Sequence, residues 1–133
     1  MTNEAIKQII EDSGLCKSEK EKIQKTLSFI IGTETTINID YYDVITVLEF
    51  GKLLPMATGT GRNTKEAFDN IENDLSKARA IIMFVKVKPN TSLSEVSGMG
   101  ERVKKHLNEK CNIIFGVDLQ DRRNVEISIV AVS

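Results

Sequence analysis

Apolar positions along the 133-residue chain change their period several times. Ile6, Ile9 and Ile10 fall on one helical face over residues 4–12, and Ser13-Gly14 suits the end of that turn. Ser18 and Glu21 have the spacing of a capping box. Ile23, Leu27, Ile30 and Ile31 follow at i, i+4, i+7 and i+8 and predict a second helix closed by Gly32. The polar, β-branched connector Thr33-Glu34-Thr35-Thr36 leads into Ile37-Asn38-Ile39-Asp40-Tyr41-Tyr42-Asp43-Val44. A third helix is predicted from about Tyr41 to Phe50.

Leu53 to Thr58 then reads as a short strand, restricted to an edge or a bulge by Pro55, which has no N–H to donate. Gly59-Thr60-Gly61 reads as the turn after it. Asn63 and Glu66 cap a helix expected to bury Ala67, Phe68, Ile71 and Leu75. Ala80 to Val87 is almost continuously apolar, as a strand covered on both faces should be. Ser92 and Glu95 open a long helix with Leu93, Val96, Val103 and Leu107 inward, weakened by Gly98 and Gly100. Asn112 to Val117 is a third strand, Asp121 to Asn124 a hairpin-like turn, and Val125, Ile127 and Ile129 alternate in a last strand.

The order predicts an α/β (α+β) fold with a four-stranded mixed sheet, strand-helix-strand-helix-strand-strand. Strands joined by helices should be parallel with right-handed crossovers, and the last strand antiparallel to its neighbour. Residues 1–36 are expected to form an N-terminal helical arm and residues 37–133 the sheet domain, one globular unit overall.

Composition narrows the function classes. A net charge of −1 without a basic block argues against a nucleic-acid binder that works by phosphate neutralisation. No run approaches the ~20 apolar residues of a membrane helix, and Met1 to Glu4 lacks the basic and apolar parts of a signal peptide. Cys16 and Cys111 are expected to be reduced thiols in a cytoplasm. One His and two separated Cys exclude a zinc cluster, and His106 reads as a boundary residue of its helix. Gly59-Thr60-Gly61 lacks the Lys and spacing of a P-loop, and Arg122-Arg123 reads as a solvated turn. No cofactor is expected.

Asn38, Asp40 and Asp43 form the remaining constellation, Asn-x-Asp-x-x-Asp where a loop turns into a helix. Asp40 as N-cap and Asp43 at N3 are both favourable at a positive helix end, so capping alone accounts for both carboxylates. It does not account for Asn38. The same carboxylates, aimed outward, could polarise a water as general bases. Both roles can hold together.

Ile37 to Val44 resembles the synergy loop (T7 loop) of FtsZ, the bacterial cell-division relative of tubulin. The resemblance runs on through Thr46-Val47, Met56-Ala57-Thr58-Gly59, the helix around Ala67, Leu93-Ser94-Glu95-Val96, Asn112-Ile113-Ile114-Phe115-Gly116 and the final strand, covering roughly Glu19 to Ser133. It implies an FtsZ-type C-terminal domain standing alone, with the helix from Glu19 to Ile31 similar to the central helix that joins the two halves of that family. The family's glycine-rich nucleotide signature is absent, and the 37 residues before Asn38 are too few for a nucleotide-binding domain of about 100 residues. The family's partner-recruiting tail is missing after Ser133; an excised fragment of a longer protein stays an open alternative, with the helix-forming start after Met1 arguing against it. Glu34-Thr35-Thr36 stands where the family often has Pro-Gly, and Tyr42 replaces a small residue.

In that family the loop of one subunit completes the GTPase site of the next. The resemblance therefore implies that Asp40 and Asp43 position water on a partner's nucleotide and that Asn38 contacts the nucleotide region. The expected function is a non-enzymatic interaction module that docks on an FtsZ-type GTPase or filament end, capping it or stimulating hydrolysis in trans. The alternatives are a self-associating scaffold or homo-oligomer, the complement of a separate nucleotide-binding chain, or an independent small-molecule enzyme. An apolar patch left exposed by the missing half would favour association, and the alternative is that the helix with Ile6, Ile9 and Ile10 covers that patch.

Overall fold

The computed structural model describes residues 4–32 and 39–133. Among the described residues the helices are α1 (Glu4–Glu11), α2 (Lys17–Gly32), α3 (Tyr41–Leu48), α4 (Thr64–Asp69), α5 (Leu93–Ser97) and α6 (Met99–Lys104). The strands are β1 (Ala57–Gly61), β2 (Ala80–Val87), β3 (Asn112–Leu119) and β4 (Val125–Val132). They form one mixed sheet in the order β1-β4-β2-β3, with β2 and β3 parallel and β4 antiparallel to both β1 and β2.

The two faces of the sheet bury two separate cores, as the period of a strand demands. Ile81, Met83, Val85, Val87, Ile127 and Ile129 pack with α4, the segment after it and α6. Ala80, Ile82, Phe84, Val130 and Val132 pack with α1, α2 and α3 on the other side. Ile6 and Ile10 of α1 are buried in this second core together with Ile23, Leu27 and Ile30 of α2. The N-terminal helices are thus an integral layer of the molecule, with α1 packed into the same core as α2 and α3.

Several elements differ from the sequence reading. α2 begins at Lys17, so Ser18 lies inside the helix and is not its cap; the Lys20 amide bonds the Cys16 carbonyl at 3.0 Å. The first strand starts later, because Pro55 interrupts its pairing: Leu53 makes an isolated bridge to Val132, and regular pairing begins at Ala57. Gly59-Thr60-Gly61 is strand, not turn, and pairs with Ile127, Glu126 and Val125. The glycines are there for contact. A Cβ on Gly59 would lie 2.4 Å from the Ala67 carbonyl oxygen, and one on Gly61 would lie 2.6 Å from the Ala67 nitrogen, so α4 rests directly on the strand backbone.

α4 stops at Asp69, and Ile71 and Leu75 pack from the segment beyond it. The asparagines that follow serve the strand instead of a helix. Asn70 Nδ2, the Glu72 amide and Asn73 Nδ2 donate to the carbonyls of Thr60, Thr58 and Met56 at 2.9, 2.8 and 2.8 Å, which closes the outer edge of β1. The long helix expected after Ser92 is split at Gly98 into α5 and α6, and Leu93 is 83% exposed instead of inward. The segment after β3 is no hairpin: β4 crosses to the far side of β2 and inserts between β1 and β2. The burial of the strands agrees with this placing. β4 is buried on both faces from Ile129 to Val132, as a central strand is, whereas β3 is only half-buried over Ile113, Ile114 and Phe115. Arg122 is not a solvated residue; it bonds the Gln120 side chain and the Asn124 carbonyl and lies 3.5 Å from Glu126, tying the turn together.

Candidate functional site

The start of α3 is built as a helix cap. Asp40 holds an extended backbone (φ −73°, ψ 142°), and its carboxylate accepts from the Tyr42 amide at 3.1 Å. Ile39 and Val44 flank this cap at the positions of a hydrophobic staple, and both are buried in the α1/α2/α3 core. Thr46 Oγ1 donates to the Tyr42 carbonyl at 2.8 Å, within the first turns. The helix start is therefore fixed from below by apolar contacts and from above by the cap.

Its polar groups face outward. Asp40 and Asp43 are both exposed, and Asp43 stands in the first turn, at the third helical position. Among the described residues the Asp43 carboxylate has no hydrogen-bond or ion-pair partner, and one Asp40 oxygen is engaged with the cap. The amide ends of α3 favour both negative charges. Asn38 lies outside the described residues. The structure thus brings Asp40 and Asp43 onto one exposed helix end.

Tyr42 sits between them, 74% exposed, with its ring edge-on to Tyr41 at 5.6 Å between centroids. In the sequence Tyr42 stands out only as a departure from a family pattern. An aromatic at the solvent face of a helix start, between two carboxylates, is itself a contact residue candidate.

Other candidates are structural. His106, in the turn after α6, has Nε2 2.9 Å from the Phe68 carbonyl and ties that turn to α4. Cys16 and Cys111 are free thiols. Among the described residues no group of three His, Cys, Asp or Glu is placed to hold a metal ion, and no helix is long and apolar enough to cross a membrane. The start of α3 offers carboxylates and an aromatic ring, and among the described residues it has no cationic or Gly-rich cradle of its own with which to hold a phosphate.

No protein-family model matches the chain. Curated relatives do. The cell division protein FtsZ of Aquifex aeolicus is 27% identical over 122 residues, 83% of this chain and 33% of that protein. FtsZ of Rickettsia bellii is 32% identical over 108 residues, 71% of this chain and 24% of that protein. Among solved structures, an FtsZ from M. jannaschii superposes with a TM-score of 0.67 at 19% identity, covering 96% of this chain and 44% of that one. The chain is an FtsZ-like C-terminal domain. It spans a third or less of the two curated relatives just named. In this FtsZ-like domain the outward carboxylates of α3 stand at the start of a helix whose other face is core, so they are free to meet a second molecule.

Proposed function

We propose that this FtsZ-like domain is a non-enzymatic interaction module that docks through the start of α3 on the exposed nucleotide face of an FtsZ-type GTPase subunit. Docked there, it caps the filament end or stimulates GTP hydrolysis in trans. Asp40 and Asp43 position and polarise the attacking water, and Asn38 contacts the nucleotide region of the partner. The reading places the protein in the cytoplasm beside its partner. The observation that supports it is the exposed Asp43 carboxylate at the start of α3, without a partner among the described residues and one turn from the capping carboxylate of Asp40.

The test combines the purified protein with an FtsZ and GTP, and measures filament pelleting and phosphate release. The native protein is expected to change at least one of them, and Asp43→Ala is expected to abolish the change in phosphate release. No effect of the native protein on either quantity overturns the reading. An effect that survives both Asp40→Ala and Asp43→Ala moves the contact away from α3. The alternative of a self-associating scaffold is favoured by a separate observation, the outer edge of β3.

A further inference from the structure

The two outer edges of the sheet are treated differently. That of β1 is closed by Asn70, Glu72 and Asn73, which take the carbonyls of Thr60, Thr58 and Met56. That of β3 has no such cover at Ile113, Phe115 and Val117 among the described residues. The Asn112 amide donates to the Arg79 carbonyl at 3.0 Å and the Gln120 amide to the Val87 carbonyl at 2.8 Å. Backbone groups alternate along a strand, so the even-numbered residues of β3 face β2. The N–H and C=O groups of Ile113, Phe115 and Val117 therefore point away from the sheet. Among the described residues nothing bonds to them on that side.

The strand also lacks the devices that normally blunt an edge. It has no Pro, no Lys and no inward charge, and its one charged residue, Asp118, is next to its end. Ile113, Ile114 and Phe115 are only half-buried, so apolar surface flanks the open backbone on both faces of the sheet. A row of free donors and acceptors beside apolar side chains is a template for another strand.

We infer that β3 pairs antiparallel with β3 of a second copy of this chain, about a two-fold axis at Phe115. The register follows from which groups are free. Centred on Phe115, each Phe115 faces its own copy and each Ile113 faces a Val117. All three residues point outward, so these are the closely hydrogen-bonded pairs of an antiparallel ladder, and every free N–H and C=O of the three is satisfied. A shift of two residues either way sets one of the three against Cys111, outside β3, or against Leu119 at its end. In the centred register Asp118 lies opposite Asn112 of the copy, so the carboxylate, which already accepts from Gln120 Nε2 at 2.8 Å, meets an exposed amide donor and no like charge. The product is one continuous sheet through both copies, with its two ends being the β1 edges that the molecule already closes. The interface leaves the start of α3 untouched, so it stands or falls independently of docking on an FtsZ-type subunit.

Light scattering across the micromolar range tests the association, and a dimer mass is expected. A monomer throughout overturns the proposal. Ile113→Pro removes an outward N–H and leaves the ladder to β2 intact, so a folded monomer is expected; a dimer that survives this change places the contact elsewhere and overturns the pairing. Hydrogen exchange on the native protein supplies a readout that needs no variant to fold. The amides of Ile113, Phe115 and Val117 should lose protection on dilution, while those of Ile114 and Gly116, which face β2, should not. Amides of Ile113, Phe115 and Val117 that exchange equally fast at all concentrations also overturn it.

Discussion

The Asp40 carboxylate accepts the Tyr42 amide at 3.1 Å, while Asp43, one turn further on, has no partner among the described residues. Two acidic side chains three residues apart are thus divided between holding the helix and facing solvent. The division makes their contributions separable. Asp40→Ala should destabilise the fold by about 1 kcal/mol, whereas Asp40→Asn should be almost neutral because Asn caps as well as Asp. Asp43→Ala should cost less than about 1 kcal/mol, the favourable effect of a charge at the helix start. Urea unfolding midpoints measure all three. A loss of GTPase stimulation by Asp43→Ala without a matching loss of stability assigns the effect to contact with the partner.

The glycines of β1 give a second expectation. Gly61→Ala and Gly59→Ala force a Cβ to within 2.6 and 2.4 Å of the α4 backbone, which cannot move as a flexible side-chain end would. Each should cost about 1–3 kcal/mol or more, the range for overpacking. Gly100→Ala, with nothing within 4 Å of the new methyl, should instead stabilise α6 by about 0.5–1 kcal/mol. Thermal unfolding of the three variants reads the contrast directly.

Asn73 carries both a left-handed backbone, φ +76°, and the hydrogen bond to Met56. Asn73→Ala loses the bond and adds strain, and should destabilise by about 1–3 kcal/mol. Asn73→Gly keeps the conformation and loses only the bond, so it should fall between Asn73→Ala and the native protein. If Gly and Ala behave alike in denaturant unfolding, the backbone angle contributes nothing.

The two thiols should separate by pH. The Ser18 hydroxyl and then the Glu19 amide hold the Cys16 thiol below its ordinary range, while burial pushes the Cys111 thiol up. Alkylation needs the thiolate, so labelling of Cys16 should rise at lower pH than labelling of Cys111. Ser18→Ala should move the Cys16 profile to higher pH and leave that of Cys111 in place. Mass spectrometry of timed labelling resolves the two sites.

A pH dependence of stability is expected from Asp74. The Ser76 amide, and then its hydroxyl, hold this carboxyl below the usual range. The folded value lies under the unfolded one of about 3.9, so the contribution is present above that pH and is lost as pH falls through the folded value. Asp74→Asn should flatten this part of the acid limb of urea midpoints plotted against pH.

The legible parts of the sequence were those where one physical requirement acted alone. Ala80 to Val87 needed only burial on both faces, and β2 occupies those residues. The caps at Asp40, Asn63 and Ser92 needed only a short polar side chain before a helix, and each accepts the expected amide. The misread parts were those where a long-range contact set the local choice. Gly59 and Gly61 look like a turn in isolation and are strand because α4 rests on them. Asn70 and Asn73 give no sign in sequence that a strand edge claims their side chains. The place of β4 between β1 and β2 could not be read from connection length, since a short link usually joins neighbours. At the candidate site the cap was legible, and the exposure of Tyr42 was not.

The central place of β4 sets the order in which the molecule can be completed. β1 and β2 never pair; β1 joins the sheet only through a strand that is synthesised after every other element of the fold. Until Val125–Val132 has left the ribosome, β1 has no partner and β2 has one open side. Both cores stay unfinished for that time, with their apolar strands exposed to association. The sheet is therefore completed last, and slowing translation over the earlier elements should lengthen the vulnerable interval.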